Sequence, residues 1–324
     1  LLAAGGARGA PRALTGSDGF LEDFSYQPLT VMLGGLGESW VTESLSFKPY
    51  PGCAYLQAPL QAFDQLRAEE RFRPGEVEQI RVGGSLPTVL MENYSGQASG
   101  SDPITPTSVA FSVKQALALH LTRDEYETVD LSARNLKSKQ SKIREYAEMV
   151  TLEHDWDRTV DLLEGVSRGV DLGALVSEVG YLKLANALRK VRRRHSGFST
   201  AREAWKFLTG TEWTGIREMS EESPEWEDFD LSRARMDRIR FRFGCRLEVR
   251  LSGGTYRRRI LDRHRGSAGE TVGELESVVH EKLRREARTY FSSYGDIDEL
   301  IENLEGLGNQ SVRPFAEAFV GKSE

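Results

Sequence analysis

The sequence predicts an α+β fold: an α/β domain with a helical insertion, plus the closing helices of a mostly helical domain. Three observations predict it. Strand-forming and helix-forming stretches alternate through residues 41–121. The charged region 122–235 has helical rather than strand spacing. Residues 239–251 alternate apolar and polar before a glycine-bearing turn and a return strand. The predicted divisions are 1–40, the end of the helical domain; 41–121, the first part of the α/β domain; 122–235, the helical insertion or connection; 236–270, the hairpin of the α/β domain; and 271–324, the return to the helical domain.

The first forty residues mix glycine and alanine and pass through Gly16-Ser-Asp-Gly19 to Gly34-Gly-Leu-Gly37, the loop-rich close of a helical unit. Trp40 to Phe47 carries strand formers and delivers Lys48 to a turn fixed by Pro49 and Pro51. Leu56, Leu60, Phe63 and Leu66 then recur at helical spacing, which accommodates Pro59 in a first turn. Glu76 to Val82 is the second strand. After the Pro103–Pro106 turn, Phe111, Val113, Ala116, Leu117, Leu119 and Leu121 form the second apolar helix.

Capping boxes at Thr122-Arg-Asp-Glu125, Thr200-Ala-Arg-Glu203 and Thr271-Val-Gly-Glu274 predict helix entrances. From His154 onward the chain reads as an insertion, with Leu172, Leu175, Val176, Val179, Leu182 and Ala185 as its packing stripe. Ile239, Phe241, Phe243, Cys245, Leu247, Val249 and Leu251 face one side of a strand and the intervening arginines the other. Gly253 and Gly254 turn it into Tyr256–Leu261. Val272, Leu275, Val278, Val279 and Leu283 stripe the next helix, and Ile297, Leu300, Ile301 and Leu304 continue the pattern.

At 324 residues, with 39% apolar and 28% charged residues, the composition is that of a globular chain long enough for two domains. No run approaches eighteen apolar residues and no cleavable signal pattern opens the chain, so the expected compartment is the cytoplasm, with no membrane partner. A formal net charge of -6 disfavours nucleic acid. Cys53 and Cys245 form no Cys-x-x-Cys pair, and the histidines fall at no ligand spacing, so no metal or structural disulfide is expected. The absence of an initial methionine and the character of the opening residues predict a fragment of a longer protein.

Lys48-Pro-Tyr-Pro-Gly-Cys-Ala-Tyr-Leu-Gln57 places a lysine and a rigid turn before a helix, a setting for an anion at a helix start. With Leu2–Phe20, Val109–Ala118 and the Gly253-Gly254 hairpin before Arg265-Gly266, in that order, this stretch resembles the MmgE/PrpD family. That family includes 2-methylcitrate dehydratase, cis-aconitate decarboxylase and iminodisuccinate epimerase. The resemblance covers residues 1 to 120 and 235 to 324. It implies a cofactor-free lyase or isomerase acting on a di- or tricarboxylate. It also implies a large helical segment upstream of Leu1 and assembly as a homodimer or as a complex with a separate N-terminal helical chain.

The resemblance makes Lys48 the anchor of a substrate carboxylate and aligns Ser112 with the serine of the family's Ser-x-x-Tyr-x-x-Ala element. Such chemistry needs cations for carboxylates and a general acid/base pair. The matched positions depart from that need. Cys53 stands where members place histidine or cysteine, Gln57 where many place histidine, and Gln115 where the element has tyrosine. Glutamine can bind a substrate but cannot move a proton. Two readings of Cys53 stand: a thiol activated by the helix start and Lys48, or a small buried side chain. Two readings of the chain follow, a lyase of the 2-methylcitrate dehydratase type or an inactive or regulatory relative that pairs with a helical chain.

The arginines of residues 238–250 and Arg257, Arg258 and Arg259 invite a phosphate track. Pleat geometry sends the interleaved aromatics to the opposite face, which favours a solvated surface. Arg189-Lys-Val-Arg-Arg-Arg-His195 suits a helix C-terminus. His154-Asp155 as a base and its orienter is disfavoured, because helical neighbours point about 100° apart.

Overall fold

The structure is a computed structural model, and it describes residues 44–99, 103–123, 126–170 and 235–288, with short pieces at 13, 19–20, 297–299, 301–302 and 306. The fold is α+β. Its strands are β1 (Val77–Gly84), β2 (Val150–His154), β3 (Cys245–Leu251) and β4 (Tyr256–Leu261), forming one sheet in the order β2-β1-β3-β4. β1 and β2 are parallel, and the other pairs are antiparallel. The helices are α1 (Gln57–Glu70), α2 (Leu86–Ser99), α3 (Pro106–Ala110), α4 (Val113–Leu121), α5 (Ala133–Glu148), α6 (Trp156–Ser167) and α7 (Val272–Ala287).

Side-chain alternation sorts the two faces of the sheet. Val150, Ile80 and Val249 lie in one row across three strands, and Leu152, Val82 and Leu247 in the next. They meet Leu60 and Phe63 of α1 and Leu117 of α4 in the main core. A register shift between Val77 and Gln79 lets Val77 join Ile80 and Val82 on that face despite the odd spacing. The opposite face carries charge: Arg246 lies over Gly83 and binds Glu153 at 2.7 Å, Asp155 at 2.8 Å and Glu248 at 3.1 Å. Among the described residues, no helix is long and apolar enough to cross a membrane.

The differences from the sequence reading have physical causes. β2 lies within the region read as all helical, so the sheet unit continues past residue 121. Its short run, Val150-Thr-Leu-Glu-His154, pairs with β1 but has too few residues to announce a period. The strand expected from residue 239 begins at Cys245, because β1 offers its last partner, Gly84, to Cys245. Upstream, Phe241 is 44% exposed and Phe243 half-buried, so the expected common burial fails at that end, and Arg240, Arg242 and Arg246 are only partly exposed.

Thr122 closes α4 rather than opening a helix, its hydroxyl donating to the Leu119 carbonyl at 2.7 Å. The described part of the expected Trp40–Phe47 strand, residues 44–47, has no ladder. Val272 on α7 is 71% exposed, so its stripe is covered only in part. Thr271 and Glu274 do form the predicted capping box, and Gly253 and Gly254 take φ of +94° and +80° in the hairpin. The stripe 172–185, the box 200–203, the run 189–195, Leu300 and Leu304 lie outside the described residues, as do nearly all of residues 1–43.

His264 is 1% exposed, near Ser267. Burial pushes its imidazole down to about 4, although the Phe47 backbone favours the charged ring. An unfolded histidine titrates near 6.5, so as pH falls from 7 towards 4 the unfolded chain takes a proton that the native chain refuses. Stability should therefore fall with pH across that window, by up to about 3 kcal/mol from this group. Urea melts of wild type and His264→Gln at pH 7.5 and 4.5 check this. The variant should lose less on acidification, and equal losses would contradict the assignment.

Candidate functional site

The turn that carries Lys48 is built from α1. Gln57, at the first residue of α1, is fully buried; its Oε1 accepts from the Tyr50 amide at 2.9 Å. Its Nε2 donates to the carbonyls of Tyr50 and Cys53, both at 3.1 Å. Both ends of the amide are thus engaged within the turn. Gly52 completes it at φ +128°, where a Cβ would meet Leu56 and the Ala110 carbonyl.

Asp64 follows Gln57 by two helical turns on the same side of α1. Its carboxylate accepts from the Tyr50 hydroxyl at 2.6 Å and pairs with His120 Nε2, from the last turn of α4, at 2.5 Å. Burial would raise the Asp64 carboxyl, but its bonds to His120 and Tyr50, with Arg67 nearby, hold it below the usual carboxylate range. Burial, reinforced by Asp64, pushes the Tyr50 phenol far above its ordinary value. The Tyr50 hydroxyl is therefore a donor, not a base.

α7 closes the turn from outside. Lys282 Nζ donates to the Lys48 carbonyl at 2.8 Å, and Arg285 donates to the Pro49 carbonyl while lying 5.7 Å from the Tyr50 ring centre. Burial lowers the Lys282 ammonium, with Arg285 and Lys48 adding to the depression and Glu286 opposing it. Lys48 itself has an exposed side chain. Three cations thus gather at this end of the turn.

The other end meets the start of α4. The Cys53 amide donates to the Ala110 carbonyl at 2.9 Å, and the Tyr55 hydroxyl to the Phe111 carbonyl at 2.8 Å. Ser112 caps α4, accepting from the Gln115 amide at 3.1 Å. Its hydroxyl donates to Glu92 Oε1 at 2.7 Å, and Glu92 Oε2 accepts from the Val113 amide. Burial raises the Glu92 carboxyl, and the bonds from Ser112 and the α4 amides only partly offset it. Gln115 Oε1 accepts from Ser108 at 2.9 Å. Cys53 is half-buried, whereas Cys245 lies in the core, its thiol pushed up to about 12 by burial.

The structure therefore gathers Cys53, Ser112 and Gln115 at one junction, puts Lys48 at the opposite end of the turn, and sets Gln57 behind it. Sequence reasoning missed Asp64, Glu92, His120, Lys282 and Arg285. Asp64 had a signal, the two-turn spacing from Gln57; the others reach the turn only through tertiary packing.

On the charged face of the sheet, a groove of about 360 Å³ is lined by His154, Asp155, Trp156, Arg246, Arg258 and Ile260, among others. Asp155 caps α6, and His154 bonds Thr159 at 2.8 Å. Arginines of the region face carboxylates: Arg250 with Glu78 at 3.0 Å, Arg257 with Glu70 at 2.6 Å, and Arg242 with Glu164 at 3.4 Å. Among the described residues, no group of three His, Cys, Asp or Glu side chains could hold a metal ion.

No protein-family model matches this chain, and no curated protein matches it at a significant level.

Proposed function

We propose that the chain carries part of a cofactor-free lyase or isomerase of the MmgE/PrpD type, acting on a di- or tricarboxylate in the cytoplasm, as in 2-methylcitrate dehydration. The observation that carries the reading is the joining of two segments distant in sequence. The turn from Lys48 to Gln57 meets the start of α4 through Cys53 and Tyr55, with Lys48, Lys282 and Arg285 at its outer end. A cation on a rigid turn, with two more on α7 beside it, suits a ligand with several carboxylates. In this reading Lys48 anchors one carboxylate, and the complete site is assembled in a homodimer or with a separate helical chain.

A second reading, an inactive or regulatory relative, is favoured by Gln57 and Gln115. Neither can move a proton, and both are engaged in internal hydrogen bonds. Calorimetric titration with cis-aconitate and 2-methylcitrate tests the shared premise. Wild type should bind, and Lys48→Ala should weaken binding about tenfold, the loss of roughly 1.4 kcal/mol. Binding untouched by Lys48→Ala would remove the lysine from the site.

A further inference from the structure

The groove on the charged face of the sheet has no part in the proposed function. It runs between the first turn of α6 and the strands β3 and β4, and its volume of about 360 Å³ is that of a site for a small molecule. Five Asp and Arg side chains line it: Asp155, Asp157, Arg158, Arg246 and Arg258. Three of them are already engaged. Arg246 is held by Glu153, Asp155 and Glu248. Arg158 is 8% exposed and binds Asp262 at 2.6 Å and Asp161 at 3.1 Å. Asp155 takes Arg246 and two amides of the first turn of α6.

Two charges of opposite sign are left for a ligand. The Arg258 side chain is 57% exposed and makes no hydrogen bond among the described residues; its ion-pair partner, Glu248 Oε1, lies 3.8 Å away and already accepts from Arg246 at 3.1 Å. The Asp157 carboxylate is exposed on the first turn of α6 and has no partner among the described residues. The two stand on different elements, strand and helix, and form no ion pair with each other. Beside them lies apolar surface. Ile260 is 45% exposed, and the half-buried Trp156 is held edge-on against His154, with ring centres 4.4 Å apart.

We propose that this groove binds an α-amino acid with an aromatic side chain. Arg258 takes the carboxylate, whose two oxygens match the fork of a guanidinium. Asp157 takes the ammonium, and Trp156 with Ile260 covers the ring, an aromatic contact that removes apolar surface from water on both sides. Other ligand classes fit less well. A phosphate drawn to the start of α6 would find two of its amides taken by Asp155 and a further negative charge at Asp157. A simple cation would meet Arg246 and Arg258 across the groove. A zwitterion answers both charges, and its apolar body answers the surface beside them. The inference is independent of the carboxylate reading of the Lys48 turn, which stands on α1 at the core face of the sheet.

Calorimetric titration of the full chain with L-phenylalanine and three truncated probes tests it. Phenylpropionate lacks the ammonium, phenethylamine lacks the carboxylate, and glycine keeps both charges but has no ring. Wild type should bind L-phenylalanine saturably and each truncated probe about tenfold or more weakly. Arg258→Gln should weaken L-phenylalanine and phenylpropionate about tenfold and leave phenethylamine unchanged. Asp157→Asn should weaken L-phenylalanine and phenethylamine by a similar factor and leave phenylpropionate unchanged. Both positions are exposed, so both variants should keep the wild-type denaturation midpoint. No saturable binding of L-phenylalanine by wild type overturns the inference. So does any truncated probe that binds as tightly as L-phenylalanine, or an affinity for L-phenylalanine that is unchanged in either variant.

Discussion

Phe63→Ala should cost about 3–5 kcal/mol of stability. Phe63 is fully buried between the sheet and α4. Its ring meets Phe72 edge-on at 5.7 Å and His120 at 5.5 Å between ring centres. Truncation therefore opens a cavity and removes one wall from around the His120–Asp64 pair. The control is Phe241→Ala, at a side chain 44% exposed on the segment before β3, where a loss below about 1 kcal/mol is expected. Urea melts of both variants give the comparison. Near-equal losses would show that the face assignment of α1 is mistaken.

Gln57→Leu should cost about 3 kcal/mol or more, although leucine is apolar and of similar size. The cause is what it leaves behind: the Tyr50 amide and the Tyr50 carbonyl lose their partner together, and the Cys53 carbonyl keeps only the Leu56 amide at 3.1 Å. Each buried group left unsatisfied costs about 1–3 kcal/mol, less whatever water can reach. Gln57→Glu is the informative companion, since it retains an acceptor for the Tyr50 amide but has no N–H for the two carbonyls. A side chain that served only a bound substrate would be nearly neutral for folding. Denaturant midpoints within 0.5 kcal/mol of wild type for Gln57→Leu would contradict the clamp.

The α/β character, β1, α1, α4, the 253–254 hairpin and the α7 capping box were legible because each announces itself locally. Pro59 sits in the first turn of α1, Ser112 caps α4, and Thr271 and Glu274 satisfy each other within one turn. β2 was not legible, because five residues give no period and its identity as a strand comes from pairing with β1. The extended segment 239–244 alternates like a strand but lies beyond the last residue of its partner.

The candidate site was less legible. Lys48, Cys53, Ser112 and Gln115 enter the candidate site only through the resemblance. The function of Gln57 could not be read from the sequence, because the groups it binds belong to a turn whose shape is settled only on folding. Glu92 gave no signal at all in a mixed stretch of α2, and only the packing of that helix brings its carboxyl to Ser112.

The central claim, that the turn from Lys48 to Cys53 and the start of α4 form a carboxylate site, is tested most directly by titrating cis-aconitate into wild type and Lys48→Ala under identical salt and pH. The account predicts saturable binding by wild type, weakened about tenfold in Lys48→Ala while the denaturation midpoint of the variant stays unchanged. Equal affinity of the two proteins, or no saturable binding by wild type, would contradict it.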